Sequence, residues 1–237
     1  MKRLFTLAVC VGALVVPAAA DARVREVGAE PPGAKVGCPE NCQAITRTTG
    51  YQTSSGSIKN PYYIRRDGYI VAWTITLGKP STEQISYFQD SAAGSLGLGA
   101  PSARLSIVRK GTKKKNRLMH RLLAASPVER LDRYYGSSPS FVLDEPLRVE
   151  RGSIVALTVP TWAPAFAVGL TRDFAWFSSR HKTDQPDQSG SRCGDVSQDA
   201  AQETVRGIRR YECRYRTARL LYTATFVPDP RPTNTGS

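Results

Sequence analysis

Tyr69-Ile70-Val71-Ala72-Trp73-Thr74-Ile75-Thr76-Leu77 is the stretch that decides the fold. Alternation puts Tyr69, Val71, Trp73, Ile75 and Leu77 on one side of an extended chain and Ile70, Ala72, Thr74 and Thr76 on the other, the period of a strand with one face in a core. Asp67-Gly68 just before it is a turn signal. Working outward, the same logic predicts strands over residues 104–109, 117–124, 140–143, 154–160, 165–170, 174–178, 210–216 and 219–227. In 210–216, Tyr211, Cys213 and Tyr215 alternate with Arg210, Glu212, Arg214 and Arg216. In 219–227, Leu220, Tyr222, Ala224 and Phe226 share a side. Lys110-Gly111 and Arg151-Gly152 supply turns at hairpin spacing. Helical signal is confined to two connections: Ser81 or Thr82 can cap a segment ending at Phe88, and Ser197 can cap residues 198–206 with Gly207 as the stop. About nine short strands with one or two short helices predict an all-β, antiparallel, jelly-roll-like β-sandwich over residues 61–228. Residues 23–60, rich in Gly, Pro, Ser, Thr and Lys, read as an irregular N-terminal leader. The Pro-rich end, 229–237, reads as a disordered tail.

Ahead of this domain stands MKRLFTLAVCVGALVVPAAADARV. Lys2 and Arg3, an apolar run over residues 4–16, then Pro17 and a string of alanines have the order of a secretory signal peptide, with Ala20-Asp21-Ala22 as the small-x-small cleavage site. The apolar run is shorter than the ~20 residues a spanning helix needs. Cys10 sits in the middle of that run behind bulky Val9, which excludes a lipoprotein acylation site. The expected product is secreted or extracytoplasmic, with residues 1–22 removed and no transmembrane segment remaining.

Five cysteines are present. Loss of Cys10 with the leader leaves Cys38, Cys42, Cys193 and Cys213, an even number in an oxidising compartment, so disulfides are expected. Three pairings are open; local pairing, Cys38 with Cys42 and Cys193 with Cys213, is the simplest. Cys38-x-x-x-Cys42 is loosely zinc-like in spacing, but neither His120 nor His181 is placed as a further ligand, so no metal is expected.

The chain carries 33 Lys and Arg against 20 Asp and Glu, a formal net charge of +13. Removing Lys2, Arg3 and Asp21 with the leader lowers it by one. Such a charge favours anionic partners, which outside the cell means acidic glycans, cell-wall polymers or lipid headgroups. No nucleic-acid recognition motif accompanies it.

The strings YIRRDGYIVAWTI, SARLSIVRK, PLRVERGSIVALTVP and ARLLYTATFVPDP, in that order, resemble a recurring kind of exported bacterial β-sandwich protein. In that pattern an Asp-Gly turn leads into a Trp-bearing strand. The resemblance spans roughly residues 62–230 and implies the fold, with no activity and no site residue.

Material for chemistry is thin. His120 shares a predicted strand face with Leu118 and Leu122, where a packed histidine is the commoner outcome; His181 falls in a polar loop. No Gly-x-Ser-x-Gly elbow, His-Glu-x-x-His helix or phosphate-binding Gly loop is present, and no motif calls for a cofactor. Asp184, Asp187 and Asp195 offer oxygens without a calcium-loop spacing. Binding features are better represented. Trp162, between Pro160 and Pro164, together with Trp176 and Tyr134, are candidate aromatic platforms for a sugar ring. Arg210, Arg214 and Arg216 form a candidate row for phosphate or carboxylate in fork geometry, and Lys113-Lys114-Lys115 sits at a hairpin tip. The expectation is a non-enzymatic binder of an anionic or carbohydrate component of the cell envelope. The alternatives are a polysaccharide-acting hydrolase or lyase using His120, Glu129, Asp132 or Asp144, and a purely structural envelope protein.

Overall fold

The alternating stretch around Trp73 does form a strand, and a computed structural model shows what surrounds it. Residues 23–29, 35–187 and 190–230 are described; the signal peptide expected over residues 1–22 and most of the tail expected over 229–237 lie outside them. In chain order the strands are β1 (Arg25–Val27), β2 (Ile45–Ser55), β3 (Ile58–Lys59), β4 (Gly68–Ile75), β5 (Ser102–Lys110), β6 (Met119–Ala125), β7 (Glu129–Arg130), β8 (Ser140–Val149), β9 (Ile154–Ala163), β10 (Phe166–Val168), β11 (Ala175–Ser178), β12 (Ile208–Arg210), β13 (Cys213–Arg216), β14 (Ala218–Leu220) and β15 (Tyr222–Pro228). One helix, α1 (Thr82–Gln89), joins β4 to β5.

These strands build an all-β antiparallel sandwich. One sheet has the order β1-β15-β4-β8, and the other β12-β6-β5-β9-β2-β11-β13, with β3 on β2 and β7 on β5; β10 and β14 make a separate ribbon. A single apolar cluster joins the sheets, with Trp73, Ile75, Tyr222 and Phe226 from the first and Leu105, Ile107, Val155 and Leu157 from the second. Tyr222 of β15 also donates from its hydroxyl to the Val155 carbonyl of β9 at 3.1 Å, and stacks on Tyr62 at 4.3 Å.

The larger sheet is curled. β12 and β13 are its two edges, yet only Tyr211 and Glu212 separate them in the chain. Flat, seven strands at about 4.8 Å spacing would hold those edges roughly 29 Å apart. Three Cα steps reach about 11 Å. The edges therefore come together, and Tyr211, fully buried, closes the join from inside. For the same reason the single strand expected over 210–216 is two strands, interrupted where the chain passes from one edge to the other.

Other departures from the sequence reading have identifiable causes. In β4 the pairing shifts between Ile70 and Ala72, so the alternation is broken by a bulge: Ile70 joins Trp73 and Ile75 in the core while Tyr69 turns out to solvent. The strand expected over 219–227 is broken at Leu221, where the chain leaves the ribbon with β10 and enters the sheet beside β4. The irregular leader expected over 23–60 contains β1, β2 and β3, and β2 runs through the larger sheet between β9 and β11. Its polar side chains find partners on neighbouring strands: the buried Thr49 hydroxyl meets Thr158 of β9 at 2.8 Å, which in turn meets Ser106 of β5 at 2.7 Å, and the half-buried Thr53 donates to the Ala175 carbonyl of β11 at 2.9 Å.

The α1 helix begins as expected, with Ser81 and Gln84 forming a capping box. No helix forms over 198–206. Ser197 spends its hydroxyl on Asp195, and Gln202 is drawn into the curled sheet, its backbone N–H donating to Thr49 Oγ1 and its amide to the carbonyls of His120 and Gly207. The tail is pinned at its first residue, where Asp229 accepts from Arg148 at 2.8 Å and its N–H donates to the Asp67 carbonyl. The cysteines pair locally, Cys38–Cys42 and Cys193–Cys213. Among the described residues no helix is long and apolar enough to cross a membrane.

Candidate functional site

The three aromatic residues singled out as platforms are packed. Trp162 is fully buried near the end of β9, stacked on Phe88 of α1 at 4.8 Å and near Tyr135 at 6.0 Å, and donates from Nε1 to the Gly99 carbonyl at 2.8 Å. The flanking prolines delimit a strand end that α1 then covers. Tyr134 is half-buried, edge-on to Phe141. Trp176 is 4% exposed, stacked on Tyr215 at 4.3 Å and tilted against Phe166. It lies across β2 at Gly50, where a Cβ would meet its ring at 2.8 Å.

The three arginines are not one row. Arg210 belongs to β12 and is engaged by the Glu212 carboxylate, whereas Arg214 and Arg216 belong to β13 at the other edge. Arg214 lies over the Phe177 ring, 6.0 Å from its centroid, and Arg216 reaches the Arg172 carbonyl at 3.5 Å. Tyr215, between them, points to the opposite face, as alternation on a strand requires.

Arg214 does meet other cations, which sequence spacing could not show. With Lys59 of β3 and Lys110 of β5 it lines a cleft of about 390 Å³, whose walls also include Tyr51, Tyr63 and Phe177. No Asp or Glu is among these wall residues, and among the described residues none of the three cations is in an ion pair.

Behind the cleft wall lies a buried polar chain. The Leu118 carbonyl can only accept, so His120 Nδ1, 2.9 Å from it, carries the proton; the bare Nε2 then accepts from the Tyr51 hydroxyl at 3.0 Å. Tyr211 stacks on the imidazole at 4.1 Å and donates to Gln202 Oε1 at 2.9 Å. Burial drives the His120 pKa down to about 4, with the Lys110 charge adding to the effect and the Leu118 carbonyl opposing it. Burial, with Tyr63 and Tyr211 nearby, pushes the Tyr51 phenol well above its ordinary value. Both groups are thus uncharged near neutral pH.

Among the carboxylates considered for catalysis, Asp132 is engaged by Arg130 at 3.2 Å, Asp144 is exposed on β8, and neither they nor Glu129 line this cleft. His181 is exposed and sits on the loop with Gln198. Asp187 and Asp195 accept from backbone N–H groups of Ser191 and Ser197, and among the described residues no cluster of three His, Cys, Asp or Glu could hold a metal. No protein-family model, curated protein or solved structure is significantly similar to this chain.

Proposed function

We propose that this is an extracytoplasmic, non-enzymatic binding protein whose basic cleft takes an anionic group, carboxylate or phosphate, of an envelope or extracellular polymer. The observation that carries this reading is the convergence of Lys59, Lys110 and Arg214 on one cleft whose walls contain no carboxylate. Like charges gathered without a counter-charge repel one another, and an anionic ligand relieves that repulsion. The half-buried Tyr63 and the Tyr51 edge add aromatic and hydrogen-bonding surface of the kind a glycan uses.

Purified mature protein incubated with isolated cell walls and a panel of acidic and neutral glycans, at low and high salt, tests the reading. The expected result is binding to acidic material that weakens with salt and drops about tenfold or more in Lys110→Glu/Arg214→Glu. Absence of binding, or binding indifferent to that pair of substitutions, would overturn it.

One observation favours a second reading, a polysaccharide hydrolase or lyase: Tyr51, which lines the cleft, is hydrogen-bonded to His120. A base needs a pKa near the working pH, and the raised phenol and lowered imidazole both depart from it. Release of new reducing or unsaturated ends from an acidic polysaccharide, abolished in His120→Gln, would put this reading first.

A further inference from the structure

A second cleft, of about 290 Å³, opens on the other side of the β2, β11 and β13 edge. Neighbouring residues on a strand point to opposite faces, so Phe177 and Arg214 serve the basic cleft while Trp176 and Tyr215 wall this one. Ile45, Phe166 and Val168 complete an apolar side. Arg180, just beyond the end of β11, and Arg216 of β13 are the charged groups in the wall, Arg180 buried and Arg216 exposed.

Arg180 is 6% exposed. Its Nη2 donates to the Thr46 carbonyl at 2.7 Å and to Thr46 Oγ1, which fixes the guanidinium, but among the described residues no carboxylate lies within ion-pair distance. Asp195 acts on it only at longer range: that carboxyl is held low first by hydrogen bonding to Ser197, and to a lesser degree by the Arg180 charge. Two residues of this wall also carry buried donors without an acceptor, Arg180 Nε and Trp176 Nε1. A desolvated donor left unpaired forfeits its hydration with nothing in return. A guanidinium fixed in a cleft wall beside aromatic surface, with no carboxylate in ion-pair distance among the described residues, is complementary to a ligand that brings an anionic oxygen on an apolar body.

We propose that this cleft binds a small carboxylate carried on a six-membered ring, the carboxylate taken by Arg180 and a face of the ring packed along Ile45, Phe166 and Val168 beside the Trp176–Tyr215 stack. The site needs none of Lys59, Lys110 or Arg214, so it stands or falls independently of the basic cleft.

The test is titration of the mature protein with benzoate and with glucuronate, against benzamide and glucose as uncharged counterparts, followed by ligand-observed NMR and tryptophan fluorescence. Saturable binding of one carboxylate is expected, with its uncharged counterpart weaker by about tenfold or more. Which of the two binds distinguishes an aromatic from a pyranose ring. Nuclear Overhauser contacts from bound ligand to the Phe166 and Tyr215 rings are expected in the wild-type protein, which avoids any concern over folding. Arg180→Gln should weaken binding by about tenfold or more, as should Val168→Phe, which fills the cleft while sparing Arg180; Lys110→Glu/Arg214→Glu should leave it unchanged. Lack of saturation by either carboxylate, equal binding of the uncharged counterparts, or wild-type affinity in a folded Val168→Phe would overturn the proposal.

Discussion

At the scale of single residues, burial decides what each side chain can do. His120 is 1% exposed, packed between Tyr51 and Tyr211 and facing Lys110 across the β5–β6 pair. An unfolded histidine titrates near 6.5 and this one near 4, so between those values the unfolded chain binds the extra proton and acid favours unfolding. The contribution is full above about pH 6.5 and is lost as pH falls towards 4, by up to about 3 kcal/mol. Denaturant unfolding at about pH 7 and about pH 4.5 should show that loss in the wild type and a much smaller one in His120→Gln. Equal losses would place the acid sensitivity elsewhere. The sequence favours a packed histidine here, and that much was legible. The fate of Trp162 was not: prolines on either side suggest a surface connection, and only the approach of Phe88 from α1 turns the ring into core.

At the scale of elements, the strands that sequence periodicity reveals are those burying an apolar stripe. β4, β5 and β9 announce themselves in this way, and α1 does so through Ser81 and its reciprocal partner Gln84. β2 is silent because, apart from Ile45 and Tyr51, its buried positions are Thr, Gly, Gln and Ser, whose polar side chains find hydrogen-bond partners on other strands. Thr158 is the centre of one such chain, meeting both Thr49 and Ser106. Thr158→Val should cost about 1–3 kcal/mol by leaving those hydroxyls short of a partner. In that background Ser106→Ala should cost less than it does in the wild type, since its partner is already gone. Urea unfolding of the four proteins gives the coupling, and strictly additive losses would argue against the chain.

At the scale of the whole molecule, the ends of the chain are tied to its middle. Arg219 of β14 is fully buried; it donates to Ser55 Oγ at the end of β2 and to the carbonyls of Gly28 and Ala29 just after β1. Arg219→Ala should therefore destabilise by about 1–3 kcal/mol and speed hydrogen exchange at β1 amides while β9 amides stay protected. Loss of protection in both strands together would show that Arg219 supports the entire fold and not the N-terminal strand in particular. The curl of the larger sheet belongs to this scale too. It brings Arg214 beside Lys59 and Lys110, three cations from strands that are scattered in the chain, while Arg210, only four positions from Arg214, ends on the opposite edge strand.

What the sequence alone determined is the class of fold, one capped helix, the local pairing of cysteines as the simplest option, and a surplus of positive charge. Each of these follows from residue type and spacing within a short window. The tertiary structure alone decided that β2 is a sheet strand, that Trp162 and Trp176 are buried, and that three cations converge at one cleft while Arg180, without an ion-pair partner among the described residues, lines another. Those outcomes depend on cross-strand hydrogen bonds and on a sheet curled until its edges meet, and no window along the chain contains both partners.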